Sequence, residues 1–387
     1  MRFSWTWQLV PDECYVCGGE LEKPVKVGNI GFGLHPECFL GYWRERRQVP
    51  TLGIKRSFGG TPLKTVNMEC LQSKFSLNLT DGCLHECVYC YARAMPSSPP
   101  HGIFFLRSGI VERVKWFVRN ARVVKPVYMS PVSDPLATGE LAKLTVELAK
   151  FFVGEGIPFY LVTKGKVPLK LFKVVEGFPF FALQVSLNTL DREVLRLLEP
   201  NAPPPDLRIR NIIRAKNHGV FTVLREDPHM PFLTDSPEQI KELTCLALDL
   251  EVDHIVGSFV GMRASSVSHK EYLYFWFREN GMDWLIKKYE KLFARGSVIS
   301  GYRIVDWRYR FEKLRQIRKL IVEVGAKTTY GLCMEGMRGL WIGDKCEGFR
   351  FPPVRRRDGK FIPVEGCGGE CKVCTTPCTP RQVKLEW

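Results

Sequence analysis

The sequence predicts an α/β fold: a partial (β/α)6 TIM-like barrel with a small metal-stabilised module at each end. Three observations predict it. Six apolar, β-branched runs alternate with stretches of helical periodicity through the middle of the chain. A loop with three closely spaced cysteines follows the first of these runs, where parallel βα folds place their chemistry. The remaining cysteines gather mainly near the two termini, where ligand-like spacings recur.

In chain order, residues 1–50 form the first module. Cys14-x2-Cys17 and His35-x2-Cys38 flank Gly28, Gly31 and Gly33, a pairing that suits tetrahedral zinc. So short a segment lacks a core of its own, and a metal supplies the missing stability. Its layout looks like treble-clef or PARP-type fingers, some of which bind nucleic acid while others only hold a fold together. Residues 51–70 read as a linker with Gly59-Gly60-Thr61-Pro62. The barrel occupies 71–327. Its strand runs are 74–79, 126–130, 158–163, 181–187, 220–225 and 254–259, and its helical stretches include 141–153, 191–198, 236–250, 273–293 and 310–324. Alternation of this kind implies a parallel sheet. Residues 328–387 change character and carry Cys333, Cys346 and the run Cys367-x3-Cys371-x2-Cys374-x3-Cys378. Those last four make a complete ligand set for zinc or for an auxiliary iron–sulfur cluster.

Composition narrows the functional class. The chain has 387 residues, 45% hydrophobic and 25% charged, as in an ordinary globular protein. Neither a membrane-length apolar run nor a signal peptide is present, so a cytoplasmic location without membrane contact is expected. In a reducing compartment, 14 clustered cysteines point to metal sites rather than disulfides. A net charge of +15, from 56 basic and 41 acidic residues, favours a polyanionic partner such as DNA or RNA. Basic clusters at Arg44-Glu45-Arg46-Arg47 and Arg308-Tyr309-Arg310 are interleaved with Tyr42, Trp43 and Trp307, as a base-stacking surface requires. A third cluster is Arg355-Arg356-Arg357.

The central loop reads Gly82-Cys83-Leu84-His85-Glu86-Cys87-Val88-Tyr89-Cys90. Cys83, Cys87 and Cys90 provide three thiolates where a cubane 4Fe–4S cluster takes four ligands, which leaves one iron open. The alternative is a zinc knuckle completed from elsewhere, with His85 as one available ligand.

The loop and the segments after it resemble the radical S-adenosylmethionine (SAM) superfamily, in its spore photoproduct lyase-like (DNA-repair photolyase-like) branch. The resemblance covers 76–260. After the loop come Ser130-Pro131-Val132-Ser133-Asp134-Pro135 and Glu140, then Thr163-Lys164-Gly165. Next are Val185-Ser186-Leu187-Asn188-Thr189-Leu190-Asp191, Glu199-Pro200-Asn201-Ala202-Pro203 with Arg208, and finally Arg225-Glu226-Asp227-Pro228. The resemblance implies that Cys83, Cys87 and Cys90 hold the cluster and that its open iron chelates SAM. Tyr89 then lies near the adenine. Asp134 receives the ammonium and ribose, Ser186 and Asn188 reach the ribose or carboxylate, and Arg225 pairs with the carboxylate. Glu140 and Lys164 belong to the same set, although a helix N-terminal charge and an ion pair account for them equally well. The implied chemistry is reductive cleavage of SAM to a 5′-deoxyadenosyl radical that removes hydrogen from a substrate, with electrons from a reductase or ferredoxin-type donor.

The pattern departs from the repair enzyme in one respect. A spore photoproduct lyase uses a cysteine after the cluster loop to return hydrogen to its product, and no cysteine occurs here between Cys90 and Cys245. The expected function is therefore a radical SAM enzyme acting on nucleic acid, by RNA modification or DNA repair, without naming the reaction. A peptide- or protein-modifying radical SAM enzyme is the second reading. A non-catalytic, metal-stabilised nucleic-acid- or ribosome-binding protein is the third.

Overall fold

A computed structural model describes residues 26–27, 30–31, 52–56, 60–68, 71–95, 98–99, 103–264, 267–343, 345–364 and 367. The chain divides into two compact units, Met1–Gly53 and Ile54–Trp387. In the first, Lys26–Val27 pairs antiparallel with Ile30–Gly31. The expected zinc ligands Cys14, Cys17, His35 and Cys38 lie outside the described residues, as do Cys371, Cys374 and Cys378. Cys367 is described; its N–H donates to the Val364 carbonyl at 3.3 Å.

The second unit is organised by an eight-stranded sheet. Seven strands run parallel and stand in chain order: β1 Leu71–Leu77, β2 Val127–Met129, β3 Phe159–Thr163, β4 Phe181–Ser186, β5 Phe221–His229, β6 His254–Phe259 and β7 Thr329–Leu332. Lys64–Met68 pairs antiparallel along the outer side of β1. Parallel neighbours need crossovers, and helices supply them. They are α1 Ile110–Asn120, α2 Gly139–Glu155, α3 Leu169–Val175, α4 Arg192–Leu198, α5 Pro205–Asn217, α6 Pro237–Asp249, α7 Val267–Glu279, α8 Asp283–Ala294 and α9 Trp307–Val324.

Local chemistry sets the helix limits. Thr138 caps α2 by accepting the Leu141 N–H at 3.1 Å. Ser236 and Gln239 form a capping box on α6, with Pro237 as its first residue. The single helix expected over 273–293 is two, because Gly281 turns the chain at φ +67° between α7 and α8. The six expected strands are joined by a seventh, β7, in the segment the sequence reading gave to the tail. Four residues followed by Cys333 carry too little periodicity to announce a strand.

Register sorts the side chains into two faces. Phe75, Val127, Phe159 and Phe181 stand in one row and Leu77, Met129, Leu161 and Leu183 in the next. All eight are buried in the main core, and each buried Leu, Met or Phe contributes about 1.5–3 kcal/mol. The opposite face carries Ser76, Tyr128, Tyr160 and Ala182 in one row. There the chain's own strap, residues 346–351, covers it: Phe349 meets Tyr160 edge-on at 5.0 Å and stacks with Phe351 at 4.7 Å. A Cβ on Gly331 of β7 would fall 2.4 Å from the Cys346 carbonyl oxygen, so the strap lies directly against the sheet. Glu347 reaches furthest inward, bonding Lys74 at 2.5 Å and Gln184 at 3.3 Å.

Candidate functional site

The three-cysteine loop leaves β1 through Asn78 and a short pairing of Thr80–Asp81 with 105–106. It is then fixed from two sides. On one side His85 points its Nε2 at Asp134 Oδ2, 2.9 Å away. Asp134 follows β2 and also accepts from Leu136 N at 2.8 Å, Thr163 Oγ1 at 2.8 Å and Lys164 N at 2.7 Å. One carboxylate thus ties together the ends of two strands and the loop. Burial works against its charge, but the His85 contact and the backbone donors outweigh that and hold the carboxyl down to about 2.

On the other side stands the Glu199–Arg208 segment. The Val88 N–H donates to the Leu198 carbonyl at 2.9 Å, and Asn201 Nδ2 donates to the Leu84 carbonyl at 3.1 Å. The Tyr89 hydroxyl donates to Glu199 Oε1. Glu199 Oε2 lies 2.5 Å from Arg208, and Lys164 Nζ is 3.9 Å from Oε1. Arg208 also donates to the Pro203 and Ser186 carbonyls, at 2.8 and 3.0 Å. Burial opposes ionisation of Glu199; Arg208 and Lys164 more than compensate and keep the carboxyl low.

These anchors leave three thiols. Cys87 is buried, and Cys83 and Cys90 are half-buried. Burial first, then the charges of Asp134, Cys87 and Cys90, push the Cys83 thiol well up. Burial pushes Cys87 up to about 12, against the pull of Lys164. The thiolates therefore need a compensating metal charge. Among the described residues no three His, Cys, Asp or Glu side chains converge as a single-ion site requires. His85 is not a spare zinc ligand, since it is bonded to Asp134 on one side and faces the Asn201 carbonyl at 3.4 Å on the other.

Polar groups gather at the same ends of the strands. Ser130 Oγ, Ser133 Oγ and Asn188 Oδ1 are buried without a hydrogen-bond partner. Buried polar atoms are normally paired, so these three fit a polar cofactor at the strand ends. The other predicted residues divide. Ser186 ends β4, buried, and its carbonyl serves Arg208. Arg225 NH1 donates to Gln184 Oε1 at 2.7 Å and its NH2 pairs with Asp227, whose Oδ1 accepts from Ser258 at 2.6 Å. Protein donors already occupy both oxygens of Asp134. Glu140 is exposed in the first turn of α2, which is the helix-terminal role.

Two features escaped the sequence reading. The Lys74–Glu347 pair joins residues 273 apart, and nothing in either neighbourhood announces it. Cys333 follows β7 and is close enough to raise the Tyr91 and Tyr128 hydroxyls electrostatically, after burial and nearer charges. A thiol thus reaches the strand ends from the last strand of the sheet.

A parallel βα sheet with a clamped three-thiol loop after its first strand defines a class, the cluster-dependent βα enzymes. Residues 77–244, less than half of the chain, match the family model of the radical SAM superfamily. The Radical SAM Nalpha-GlyT isomerase of Pseudomonas phage M6 is 24% identical over 294 residues, 71% of this chain and 60% of that protein. The uncharacterized protein ORF301 of Acidianus two-tailed virus is 25% identical over 219 residues, 52% of this chain and 72% of that one. A spore photoproduct lyase mutant with bound AdoMet and dinucleoside spore photoproduct shares the fold, with a TM-score of 0.52 and 16% identity over 67% of this chain and 75% of that one. The match supports an enzyme and implies a 4Fe–4S cluster and SAM. No helix among the described residues is long and apolar enough to cross a membrane.

Proposed function

We propose that this protein is a radical SAM enzyme whose substrate is a nucleic acid, modified or repaired by hydrogen abstraction. Cys83, Cys87 and Cys90 hold the cluster. Asp134 and Glu199 keep the loop rigid from either side. Ser130, Ser133 and Asn188 offer unpaired polar atoms to SAM, and Arg225 sits further along the strand ends with Asp227. When bound, the cluster and SAM supply a 5′-deoxyadenosyl radical by one-electron cleavage; the protein's share is to orient SAM and exclude water.

The observation that carries the reading is the double clamp on the loop: Asp134 holds His85 from one side, and Leu198, Glu199 and Asn201 hold Val88, Tyr89 and Leu84 from the other. Nucleic acid as substrate is supported by the +15 charge and by the fold shared with a lyase that holds a dinucleoside spore photoproduct. An external reductase or ferredoxin-type donor supplies the electron. The proposed zinc module at 1–50 and the Cys-rich tail complete the chain as recognition or electron-relay parts, and the proposed location is cytoplasmic.

The test is anaerobic reconstitution, with iron and sulfide counted per chain, followed by dithionite and SAM. The expected result is a broad visible iron–sulfur absorbance and release of 5′-deoxyadenosine, both lost in Cys83→Ala. If Cys83→Ala keeps both, the reading fails.

A further inference from the structure

The loop after β5 carries a residue whose backbone and side chain are at odds with a purely structural role. Phe232 has φ +65°, a left-handed conformation that costs a bulky residue of order 1–3 kcal/mol. Burial of the ring repays only part of this, because Phe232 is 38% exposed, with its ring 5.5 Å from that of Tyr309. The loop is nonetheless held firmly. Asp235 Oδ1 accepts the Phe232 N–H at 2.7 Å and its Oδ2 accepts the Tyr309 hydroxyl at 2.6 Å. Tyr289 of α8 donates to the Pro231 carbonyl at 3.0 Å, and Lys313 of α9 to the Asp235 carbonyl at 2.7 Å. Rigid neighbours thus hold an aromatic ring with part of its surface open to solvent.

What stands beside that ring is specific. Lys288 Nζ lies 4.8 Å from the centre of the Phe232 ring and 4.6 Å from that of Trp284, which is 52% exposed. Two exposed rings therefore flank one ammonium. The exposed charges along α8 and its end are Lys287, Lys288, Lys291 and Arg295 against Asp283 and Glu290. Aromatic faces give a base something to stack on, and cations between them meet its phosphate. The patch begins three residues beyond the C-terminal end of β5, the strand that carries Arg225 and Asp227.

We propose that Phe232, Trp284 and Lys288 form a stacking site for an unpaired base of a single-stranded nucleic acid, at the strand-end side of the sheet. This inference rests on the nucleic-acid reading above and adds where the strand is gripped. An acidic peptide is the competing occupant, and the test separates the two.

The experiment titrates the full-length protein against fluorescein-labelled dT12 by anisotropy, over a range of salt. A glutamate-rich peptide serves as competitor. Trp284→Ala and Phe232→Gly are expected to weaken binding about tenfold each, the usual scale for one stacked base. Glycine suits the left-handed backbone, which offsets part of the lost Tyr309 contact, and the melting temperature of Phe232→Gly is measured beside its affinity. Lys288→Gln should flatten the dependence of log K on log salt by roughly 0.7. Trp116→Ala, an exposed tryptophan on α1, should change nothing. Equal affinity across all variants overturns the stacking site while leaving nucleic acid as substrate. Displacement of dT12 by the peptide at equal charge, lost in Trp284→Ala, assigns the site to a protein partner instead. No binding of dT12 by the unchanged protein overturns this inference and the nucleic-acid reading together, and leaves SAM cleavage to be judged by 5′-deoxyadenosine alone.

Discussion

The buried ions around the cysteine loop work as partners, so removing one should cost more than a surface pair would. Glu199 and Arg208 are 2% and 0% exposed. Glu199→Ala leaves Arg208 charged and enclosed, and a loss of about 3–5 kcal/mol is expected in urea unfolding. Tyr89→Phe removes one hydroxyl from the same carboxylate and should cost about 1–2 kcal/mol with the fold intact. A Glu199→Ala protein as stable as the original would show that Arg208 finds another partner. His254 gives a pH signature. Burial drives its imidazole down to about 4, with the Cys346 carbonyl and Glu347 pulling the other way and Arg225 adding to the fall. Its folded value lies below its unfolded one, so its stability is fully present above about 6.5 and is lost as pH falls through 4. The window is worth about 3 kcal/mol at 1.36 kcal/mol per unit. His254→Gln should shrink the acid-side loss measured between pH 7 and 4.

At the scale of elements, the strap over the inner face is the sensitive part. Gly348 has φ +75°, and a Cβ there would meet the His254 ring at 2.4 Å. Gly348→Ala should therefore lift the strap and cost roughly 2–3 kcal/mol, well above an ordinary surface change; Gly359→Ala, with open space at its Cβ, should cost about 1 kcal/mol for its backbone alone. The contrast between these two glycines explains what the sequence disclosed. The strands from Phe75 to Phe259 were legible because apolar, β-branched runs and caps such as Ser236 are local signals. The cysteine loop was legible because thiol spacing is local too. The strap and β7 were not, because Glu347 meets Lys74 and Gln184 only after the whole sheet has formed. The Glu199-Pro-Asn-Ala-Pro segment was visible as unusual, but its purpose needed the structure: it holds Leu84, His85 and Tyr89, and Leu198 just before it holds Val88. The Arg308-Tyr309-Arg310 cluster, expected as one basic surface, splits. Arg308 is exposed, whereas Arg310 is buried against Glu335.

At the scale of the whole molecule, the sheet is closed below by the chain's own strap and carries its unpaired polar groups at the other end. Glu347→Ala should cost about 3–5 kcal/mol by stranding the Lys74 ammonium, and the double change Lys74→Met with Glu347→Leu should recover much of that. Failure of the double change to recover any stability would mean that Glu347 acts mainly through Gln184. The clamp on the cysteine loop has a further consequence, one of timing. The thiols sit at 83–90, but the residues that hold their backbone run as far as Arg208. A ribosome has therefore made more than half of the chain before the loop can take its shape. The proposed cluster loop is written early and becomes usable late, so a cluster would be delivered only once the chain has passed Arg208, and a nascent chain stopped short of it should fail to retain one.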